Sequence, residues 1–362
     1  MVKHVYIHIP FCIRKCHYCS FISGIDLKYK DIYLDALNKQ INNTYRNEKI
    51  KTLYIGGGTP SLLDINDIKN ITKHFKLENN SEITLEVNPE TVDEIKFHKI
   101  REIGINRLSI GIQSFNDNIL KSIGRNHCRK DILKSIKTIK KCGFNNISID
   151  LIYGLPNQNI TILRQDLEQS IDLEIQHIST YGLKIEKNSF FGKNRPQNLP
   201  DDEQQAEMYM ELCSELRKNN FEHYEISNFA KKNYESQHNC AYWKNQNYYG
   251  FGLNASGYEG KKRYRNTDIF KAYIENPNLK AEETELTESE ILEEEIFLAL
   301  RLRTGINIEE INKKFNIRFL DKYQNIIKKY TELNLLKKEN NKLYLTEEGF
   351  LLSNEIMTEF IN

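Results

Sequence analysis

This chain of 362 residues has no long apolar run, no excess of one charge and a single tryptophan. Lys and Arg together number 51 and Asp and Glu number 50, so the net charge of +1 provides no broad attraction for nucleic acid or an anionic membrane. No uninterrupted apolar stretch approaches the roughly 20 residues of a membrane-spanning helix, and the N-terminus lacks the pattern of a signal peptide. These absences predict a cytoplasmic protein that does not bind nucleic acid.

Cysteines are also few, and their arrangement is uneven. Their number, seven, is odd, which indicates a reducing compartment rather than a disulfide framework. Three of them form the cluster Cys12-x3-Cys16-x2-Cys19, and thiols at this spacing can converge on one object only from a loop. The object is either an iron–sulfur cluster, usually held by four cysteines, or a structural zinc ion with His8 or His17 as fourth ligand.

The N-terminal half alternates short β-rich runs with segments of helical periodicity. The runs read VYIHI, KTLYIG, EITLEV, RLSIGI, NISIDLIYG and HISTYGLKI. Between them, apolar residues recur at three- and four-residue spacing, as at Ile65, Ile68 and Ile71. Six β/α units in series predict an α/β domain over residues 1–185, with a parallel sheet that is open or curled into a partial (β/α)6 barrel. Polar residues at the C-terminal strand ends are then candidates for function.

Two further units are predicted beyond residue 185. Residues 186–280 form an aromatic-rich extension that includes the run HNCAYWKNQNYYGFG. The polar, acidic stretch at 277–290 predicts a linker. Residues 281–362 then show several helical periods and the short run KLYLT, which predict a small helical, winged-helix-like C-terminal domain. Its many acidic residues make DNA an unfavourable partner.

One local signal marks the start of that last unit. Thr287 is followed three residues later by Glu290, the spacing of a capping box, in which each side chain bonds the backbone of the other residue. The predicted helical periods that follow cover residues 288–303, 307–315 and 318–336. The first of these helices is therefore expected to begin at the capping box.

Read with Tyr18 directly before its last cysteine, the cysteine cluster resembles the radical S-adenosylmethionine superfamily. In that superfamily three thiolates hold a [4Fe–4S] cluster, and the remaining iron binds the amino and carboxylate groups of the cofactor's methionine. The resemblance implies that an injected electron cleaves the sulfonium bond to give a 5′-deoxyadenosyl radical. It also explains why three cysteines are enough, because S-adenosylmethionine supplies the missing ligand.

A glycine loop and several polar residues extend the resemblance. Gly56, Gly57 and Gly58 directly follow a strand, and glycines permit positive φ and close backbone approach to a ligand. Alone the loop is a weak signal, since it lacks both the P-loop lysine and the Rossmann spacing. Together, GGGTPS, GIQSF and DLIYGLP resemble the coproporphyrinogen-dehydrogenase-like branch of the superfamily. The resemblance implies nine cofactor residues around S-adenosylmethionine: Tyr6, Tyr18, Gly57, Gly58, Thr59, Glu86, Gln113, Arg125 and Asp150.

Two functions compete within that branch. Oxygen-independent coproporphyrinogen III oxidases read Cys-x3-Cys-x2-Cys-x-Cys and decarboxylate two propionates in haem biosynthesis. This chain has Phe21 at the position of their fourth cysteine, and its cysteine cluster begins close to Met1. In both respects the chain resembles the haem chaperone group instead. The resemblance implies a protein that binds haem and transfers it to haem-dependent respiratory proteins, with coproporphyrinogen oxidation as the alternative; no residue is assigned a catalytic role.

The run QHNCAYWKN also resembles a signature of the haem chaperone group. Its HNxxYW motif comprises His238, Asn239, Tyr242 and Trp243, the last being the single tryptophan of the chain. Imidazole is a standard axial ligand of haem iron, and Tyr and Trp rings offer flat apolar faces to a porphyrin. We therefore expect these four residues to contact haem.

The resemblance also implies the partners. They are haem and the haem-accepting apoproteins, to which we add a protein that donates electrons or haem. Peripheral contact with a membrane would fit delivery to respiratory enzymes, and the family suggests exchange between monomer and dimer. The expected cofactors are the [4Fe–4S] cluster, S-adenosylmethionine and haem.

Overall fold

The computed structural model describes residues 1–361, and these contain fifteen strands. The first six are parallel and correspond to the β-rich runs of the sequence. The strands are β1 (His4–Ile9), β2 (Lys49–Gly57), β3 (Lys76–Val87), β4 (Arg107–Gln113), β5 (Ile147–Tyr153), β6 (His177–Gly182), β7 (Glu222–Glu225), β8 (Asn228–Ala230), β9 (Tyr248–Phe251), β10 (Ser256–Glu259), β11 (Lys262–Asn266), β12 (Lys280–Glu285), β13 (Ile306–Asn307), β14 (Leu336–Glu339) and β15 (Lys342–Leu345).

Helices connect the parallel strands and make up most of the C-terminal part. They are α1 (Lys30–Thr44), α2 (Ile65–Lys73), α3 (Glu94–Ile103), α4 (Asp117–Ser122), α5 (Arg129–Lys141), α6 (Ile160–Asp172), α7 (Phe190–Lys193), α8 (Asp202–Lys218), α9 (Gln237–Trp243), α10 (Phe270–Glu275), α11 (Glu288–Leu300), α12 (Ile308–Phe315), α13 (Phe319–Lys322), α14 (Gln324–Glu332), α15 (Glu347–Leu351) and α16 (Ser353–Glu359). Short 3-10 helices cover Leu27–Tyr29 and Pro60–Leu62.

A 12-stranded sheet organises most of the molecule, in the order β12-β11-β10-β9-β1-β2-β3-β4-β5-β6-β8-β7. Strands β1 to β6 are parallel neighbours in chain order, which confirms the predicted α/β architecture. The sheet is open rather than a closed barrel, because β9 extends one edge and the β7–β8 hairpin extends the other. Residues 186–280 thus add strands to both edges of the same sheet, while the predicted domain boundaries stay predictions.

The two faces of the parallel strands differ in polarity. Side chains alternate between faces along a strand. On β1, Val5 and Ile7 belong to the apolar core under the helices, whereas His4 and His8 belong to the opposite, polar face. That polar face continues across the neighbouring strands, so the sheet carries hydrogen-bonding groups where a closed apolar core would otherwise be.

The acidic stretch at 277–290 is not a linker throughout, and that prediction is wrong for its central part. Lys280–Glu285 forms the edge strand β12, antiparallel to β11. Acidic side chains of β12 face basic side chains of β11, with Nζ of Lys262 3.3 Å from Glu283 and a guanidinium nitrogen of Arg265 2.6 Å from Glu282. Cross-strand pairs of opposite charge stabilise such an edge.

The C-terminal part is helical, as predicted, with a three-stranded sheet in the order β13-β15-β14. The capping box at the start of α11 is confirmed: the Thr287 side chain accepts from the backbone N–H of Glu290, and the Glu290 carboxylate accepts from Thr287. Among residues 1–361, no helix combines the length and apolar character needed to span a membrane.

Candidate cofactor site

A cavity of about 520 Å³ lies at the C-terminal ends of the parallel strands. Its walls include the three clustered cysteines and all nine cofactor residues predicted from the sequence. These residues come from the loop after β1, the ends of β1 to β5 and the segment after α4. Because the C-terminal ends of parallel strands meet at one edge, residues spread over more than a hundred positions of the chain converge here.

Each thiol of the cysteine cluster has a polar neighbour. The Thr59 hydroxyl donates to Sγ of Cys12 at 3.5 Å, and a guanidinium nitrogen of Arg125 donates to Sγ of Cys16 at 3.3 Å. The three cysteines are unpaired and partly exposed. Within residues 1–361, no three His, Cys, Asp or Glu side chains are arranged to hold one metal ion; the three thiols border the cavity.

The histidines that could complete a zinc site are engaged elsewhere. On His8, Nδ1 pairs with the Tyr6 hydroxyl at 3.0 Å and Nε2 with the carbonyl oxygen of Ile22 at 2.9 Å. On His17, Nδ1 pairs with the carbonyl oxygen of Ser122 at 2.9 Å, and the ring packs 4.5 Å from that of Phe190. A zinc centre that used His8 would need one of its contacts to break, whereas the Nδ1 contact of His17 leaves Nε2 of that ring as an acceptor.

The glycine loop passes too close to its neighbours to carry side chains. Gly57 has φ of +120°, and a Cβ there would lie 2.7 Å from the His8 ring. A Cβ on Gly58 would lie 2.6 Å from the backbone oxygen of Phe11 and 2.9 Å from Sγ of Cys12. Glycine is therefore required for the loop to run beside the thiols with its backbone facing the cavity.

Two half-buried carboxyls border the cavity. Burial raises the pKa of Glu86 to about 7, while hydrogen bonds from the Tyr54 hydroxyl (2.8 Å) and the Gly57 backbone N–H (2.9 Å) oppose that rise. Burial also raises the pKa of Asp150, against hydrogen bonds from Ser179 and Ser109. Both side chains can thus present acceptors to hydroxyl or ammonium groups of a ligand.

Gln113 and Arg125 also border the cavity. Gln113 adopts φ of +63° at the irregular end of β4, and its buried Oε1 has no hydrogen-bond partner within residues 1–361. The Arg125 guanidinium donates to Oδ1 of Asn88 at 2.9 Å and to the carbonyl oxygen of Gly111 at 2.5 Å. A backbone outlier with an unpaired acceptor is the pattern of a position shaped for a ligand.

Sequence reasoning missed three residues of this neighbourhood. Asn88 bridges Arg125 and the Thr59 hydroxyl. Tyr54 bonds Glu86. Arg107 is 2% exposed, and its charge lowers the pKa of both cavity carboxyls. The alternation of β2 and β4 could have identified Tyr54 and Arg107, since each lies two residues before a residue on the polar face.

The HNxxYW motif does not line this cavity. It forms α9, whose His238 is 1% exposed. Glu82 of β3 anchors the start of the helix by accepting the backbone N–H groups of Gln237 and His238, both at 3.0 Å. The His238 ring stacks on Tyr54 with centroids 5.1 Å apart, so the motif lies directly behind the cavity wall.

A hydrogen-bonded chain fixes the tautomer of His238. Nε2 of His4 lies 2.7 Å from the Gln246 amide oxygen, an acceptor, so His4 donates there and its Nδ1 accepts from the Thr52 hydroxyl at 2.9 Å. Thr52 must then accept from Nδ1 of His238 at 2.7 Å. The Tyr242 hydroxyl is left to donate to Nε2 of His238, at 2.7 Å. Burial holds the pKa of His238 well below its usual value, which agrees with a neutral ring.

Among the remaining motif residues, Trp243 contacts the C-terminal part. The guanidinium carbon of Arg301 lies 4.3 Å from the ring centroid of Trp243, a cation–π contact. The indole Nε1 is buried without a partner in residues 1–361. Asn239 is half-buried, and its backbone N–H donates to the capping Ser236 hydroxyl at 3.3 Å.

An open parallel sheet with three thiols, a glycine loop and buried acceptors at its C-terminal edge defines a protein of the radical S-adenosylmethionine class. Comparison of the chain with known families agrees. Residues 6–170 match the radical SAM superfamily, and residues 286–352 match the HemN C-terminal domain.

Relatives define the family within that class. Proteins named heme chaperone HemW from Bacillus subtilis and Lactococcus lactis are 37% and 34% identical to this chain, and the matches cover 99% and 98% of it and 99% and 96% of those proteins. The protein of the same name from Escherichia coli is 37% identical to this chain, over 70% of this chain and 69% of that protein. The chain therefore belongs to the HemW family of radical SAM proteins.

A solved structure has the same fold. Coproporphyrinogen III oxidase (HemN) from Escherichia coli superposes with a TM-score of 0.88, covering 100% of this chain and 90% of that one. Its sequence is 22% identical, so the likeness confirms the architecture and leaves the activity to other evidence.

Proposed function

We propose that the cavity holds a [4Fe–4S] cluster on Cys12, Cys16 and Cys19 with S-adenosylmethionine beside it. The observation that carries this proposal is that all twelve predicted residues border one cavity. When bound, the cluster and cofactor supply one-electron chemistry. The chain's own groups bind and orient: the unpaired Oε1 of Gln113 and the carboxylate of Glu86 accept hydrogen bonds from the cofactor.

The remaining cofactor residues shape that cavity. Thr59 and Arg125 donate hydrogen bonds to the sulfurs of Cys12 and Cys16 and so orient two of the proposed cluster ligands. Asp150 offers a half-buried acceptor, while Tyr6 and Tyr18 supply ring surface. The N–H groups of Gly57 and Gly58 donate to Glu86 and to the carbonyl oxygen of Ile9, so in this proposal the loop contacts the methionine part of the cofactor through its carbonyl oxygens.

The function we propose for the whole protein is to bind haem through the HNxxYW motif and to transfer it to haem-dependent respiratory proteins. His238 is prepared for iron because its Nδ1 donates to Thr52, leaving the lone pair on Nε2. A second hydrogen bond of this kind orients imidazole ligands in metal sites. Haem binding then requires the Tyr242 hydroxyl to turn away and the buried His238 ring to leave the Tyr54 face, and the Tyr242 and Trp243 rings, with Asn239, frame the porphyrin.

The second candidate is oxidative decarboxylation of coproporphyrinogen III. The fold is compatible with this reaction, since the Escherichia coli enzyme has the same architecture. Phe21 opposes it: the side chain borders the cavity and is 65% exposed, and a hydrocarbon cannot ligate a metal where those oxidases have a cysteine.

One anaerobic experiment separates these functions. After cluster reconstitution, the same sample is assayed for haem retention by Soret absorbance and for decarboxylation of coproporphyrinogen III. We expect retained haem without decarboxylation, and at least tenfold weaker haem binding in His238→Ala. His74→Ala is the matched control, since its half-buried imidazole bonds only Asn38, away from the motif.

Other outcomes identify other functions. Decarboxylation without haem retention would establish the oxidase. Stoichiometric zinc with no iron–sulfur absorbance would replace both proposals by a zinc-stabilised protein. Equal haem loss in the His238 and His74 variants would remove the HNxxYW motif from the haem site while leaving haem binding itself intact.

The proposed partners follow from this function. Haem-accepting apoproteins receive the cargo, and a donor protein supplies haem or electrons. Peripheral contact with a membrane and exchange between monomer and dimer belong to the same proposal. Size-exclusion chromatography with and without the cluster, and flotation with lipid vesicles, test the last two.

A further inference from the structure

Tyr54 is the residue through which the cofactor cavity touches the HNxxYW motif. Its hydroxyl donates to Oε1 of Glu86 at 2.8 Å, and the other oxygen of that carboxylate accepts the Gly57 N–H at 2.9 Å. Its ring stacks on His238 with centroids 5.1 Å apart and planes 27° from parallel. One side chain thus contacts a predicted cofactor residue at its tip and the predicted haem ligand on its ring face.

Close packing on the cavity side prevents Tyr54 from moving independently of Glu86. A Cβ on Gly56 would lie 2.8 Å from the Tyr54 ring and 2.9 Å from the Glu86 carboxyl, so the two side chains fill the space over that glycine. The Tyr6 ring closes a further side at 6.1 Å between centroids. Packed interiors transmit such displacements because they contain few voids.

On the motif side, His238 is held equally firmly. Its ring nitrogens bond Thr52 and Tyr242, each at 2.7 Å, and Tyr54 covers its face. Presenting Nε2 to iron therefore requires the ring to leave the Tyr54 face. A displacement of the Tyr54 ring therefore changes how accessible His238 is to iron.

We infer that Tyr54 is a positioning residue that couples the S-adenosylmethionine site to the HNxxYW motif, so that cofactor bound at Glu86 holds His238 in its sequestered position. A ligand ammonium or hydroxyl group at Glu86 stabilises the carboxylate form, and a hydrogen bond from a phenol to an ionised carboxylate is the stronger kind. The Tyr54 ring is then fixed against His238. With the cofactor absent, that restraint weakens and haem competes more easily for Nε2. The coupling between cavity and motif rests on the proposed S-adenosylmethionine site, and the haem part of this inference rests on the proposed haem function as well.

The single tryptophan provides a readout that needs no haem. Trp243 is the only tryptophan of the chain and lies in α9, one residue after the partner of His238. In anaerobic, cluster-loaded protein without reductant, S-adenosylmethionine is titrated and followed by Trp243 emission, with calorimetry reporting binding independently. We expect an emission change that saturates with binding in the wild type and is absent from Tyr54→Phe, although the variant still binds the cofactor.

Tyr249→Phe is the matched control. Tyr249 also donates its phenol hydroxyl to a carboxylate, that of Glu48 at 3.0 Å, and its own ring packs on Tyr45 and Phe251 rather than on Glu86 or His238. Its emission response should equal that of the wild type. Calorimetric binding with a silent Trp243 in the wild type, or the same response in Tyr54→Phe as in the wild type, overturns the inference.

A second experiment measures how bound S-adenosylmethionine changes the affinity of the protein for haem. We expect haem affinity of the wild type to fall about fivefold when S-adenosylmethionine is present, and the ratio to approach one in Tyr54→Phe. An unchanged ratio in Tyr54→Phe contradicts the coupling. Wild-type protein that shows the Trp243 response but binds no haem contradicts the proposed function instead and leaves the coupling standing, so the two failures are distinguishable.

Discussion

Replacing Cys16 with serine is expected to abolish assembly of the iron–sulfur cluster. Reconstituted wild-type protein should carry about four irons per chain, and the variant should fall to background, because a serine hydroxyl stays protonated where a thiolate binds iron. Arg125 donates to this sulfur at 3.3 Å, so the substitution also changes a contact with a predicted cofactor residue. Iron and sulfide analysis, with absorbance of the anaerobic sample, measures the effect.

Cys128→Ser is the control for this substitution. Cys128 stands at the N-cap of α5, where its thiol donates to Asp131 at 3.1 Å, and serine is a favourable residue at an N-cap. Iron content should be unchanged in this variant. Equal iron in the Cys16 and Cys128 variants would mean that the cluster is held elsewhere or that none forms.

Glu86→Gln is expected to weaken S-adenosylmethionine binding more than tenfold and to remove its dependence on pH near neutrality. Because the pKa of Glu86 is about 7 in the empty protein, binding to the carboxylate should weaken below pH 7 and release a proton. Asp150, Tyr54 and Arg107 also act on this carboxyl, but only Glu86 itself is lost in the variant. Calorimetry in buffers of different ionisation enthalpy counts the released protons.

The same carboxyl has a consequence for folding. A pKa raised from 4.5 to about 7 means that the neutral form favours the folded state: the contribution is fully present below pH 4.5 and is lost as pH rises through 7. At pH 8 the cofactor-free Glu86→Gln protein should therefore exceed the wild type in unfolding free energy, by on the order of 3 kcal/mol. Urea unfolding at pH 5 and pH 8 tests this. Equal pH dependence in both proteins would mean that the Glu86 carboxyl does not titrate as described.

The architecture and the cofactor cavity were predictable from the sequence because both depend on short, local patterns. Polar residues lie at or near the C-terminal ends of β3, β4 and β5, and the rule that such ends converge places Glu86 and Asp150 together. The linker prediction failed at Lys280–Glu285 because five polar residues and one alanine form a strand only through the basic partner strand β11, which no local pattern reveals. Pairing across the sheet decided that segment.

The HNxxYW motif shows a different limit of sequence reasoning. The residues of the motif were identified, but their environment was not. The burial of His238 depends on Thr52 and Tyr54 of β2 and on Glu82 of β3, which are far away in the chain. Only the packing of α9 against the polar face of the sheet shows that the predicted ligand is held by internal hydrogen bonds and that its tautomer leaves Nε2 to accept.

Haem transfer tests the central claim most directly. Haem-loaded protein is mixed anaerobically with the apo form of a respiratory haem protein, and in parallel with apomyoglobin as a scavenger of freely released haem. The account predicts that the respiratory apoprotein acquires its native absorbance spectrum faster than apomyoglobin removes haem, since direct transfer bypasses free haem. Equal rates for both acceptors would show passive release and would contradict a chaperone function.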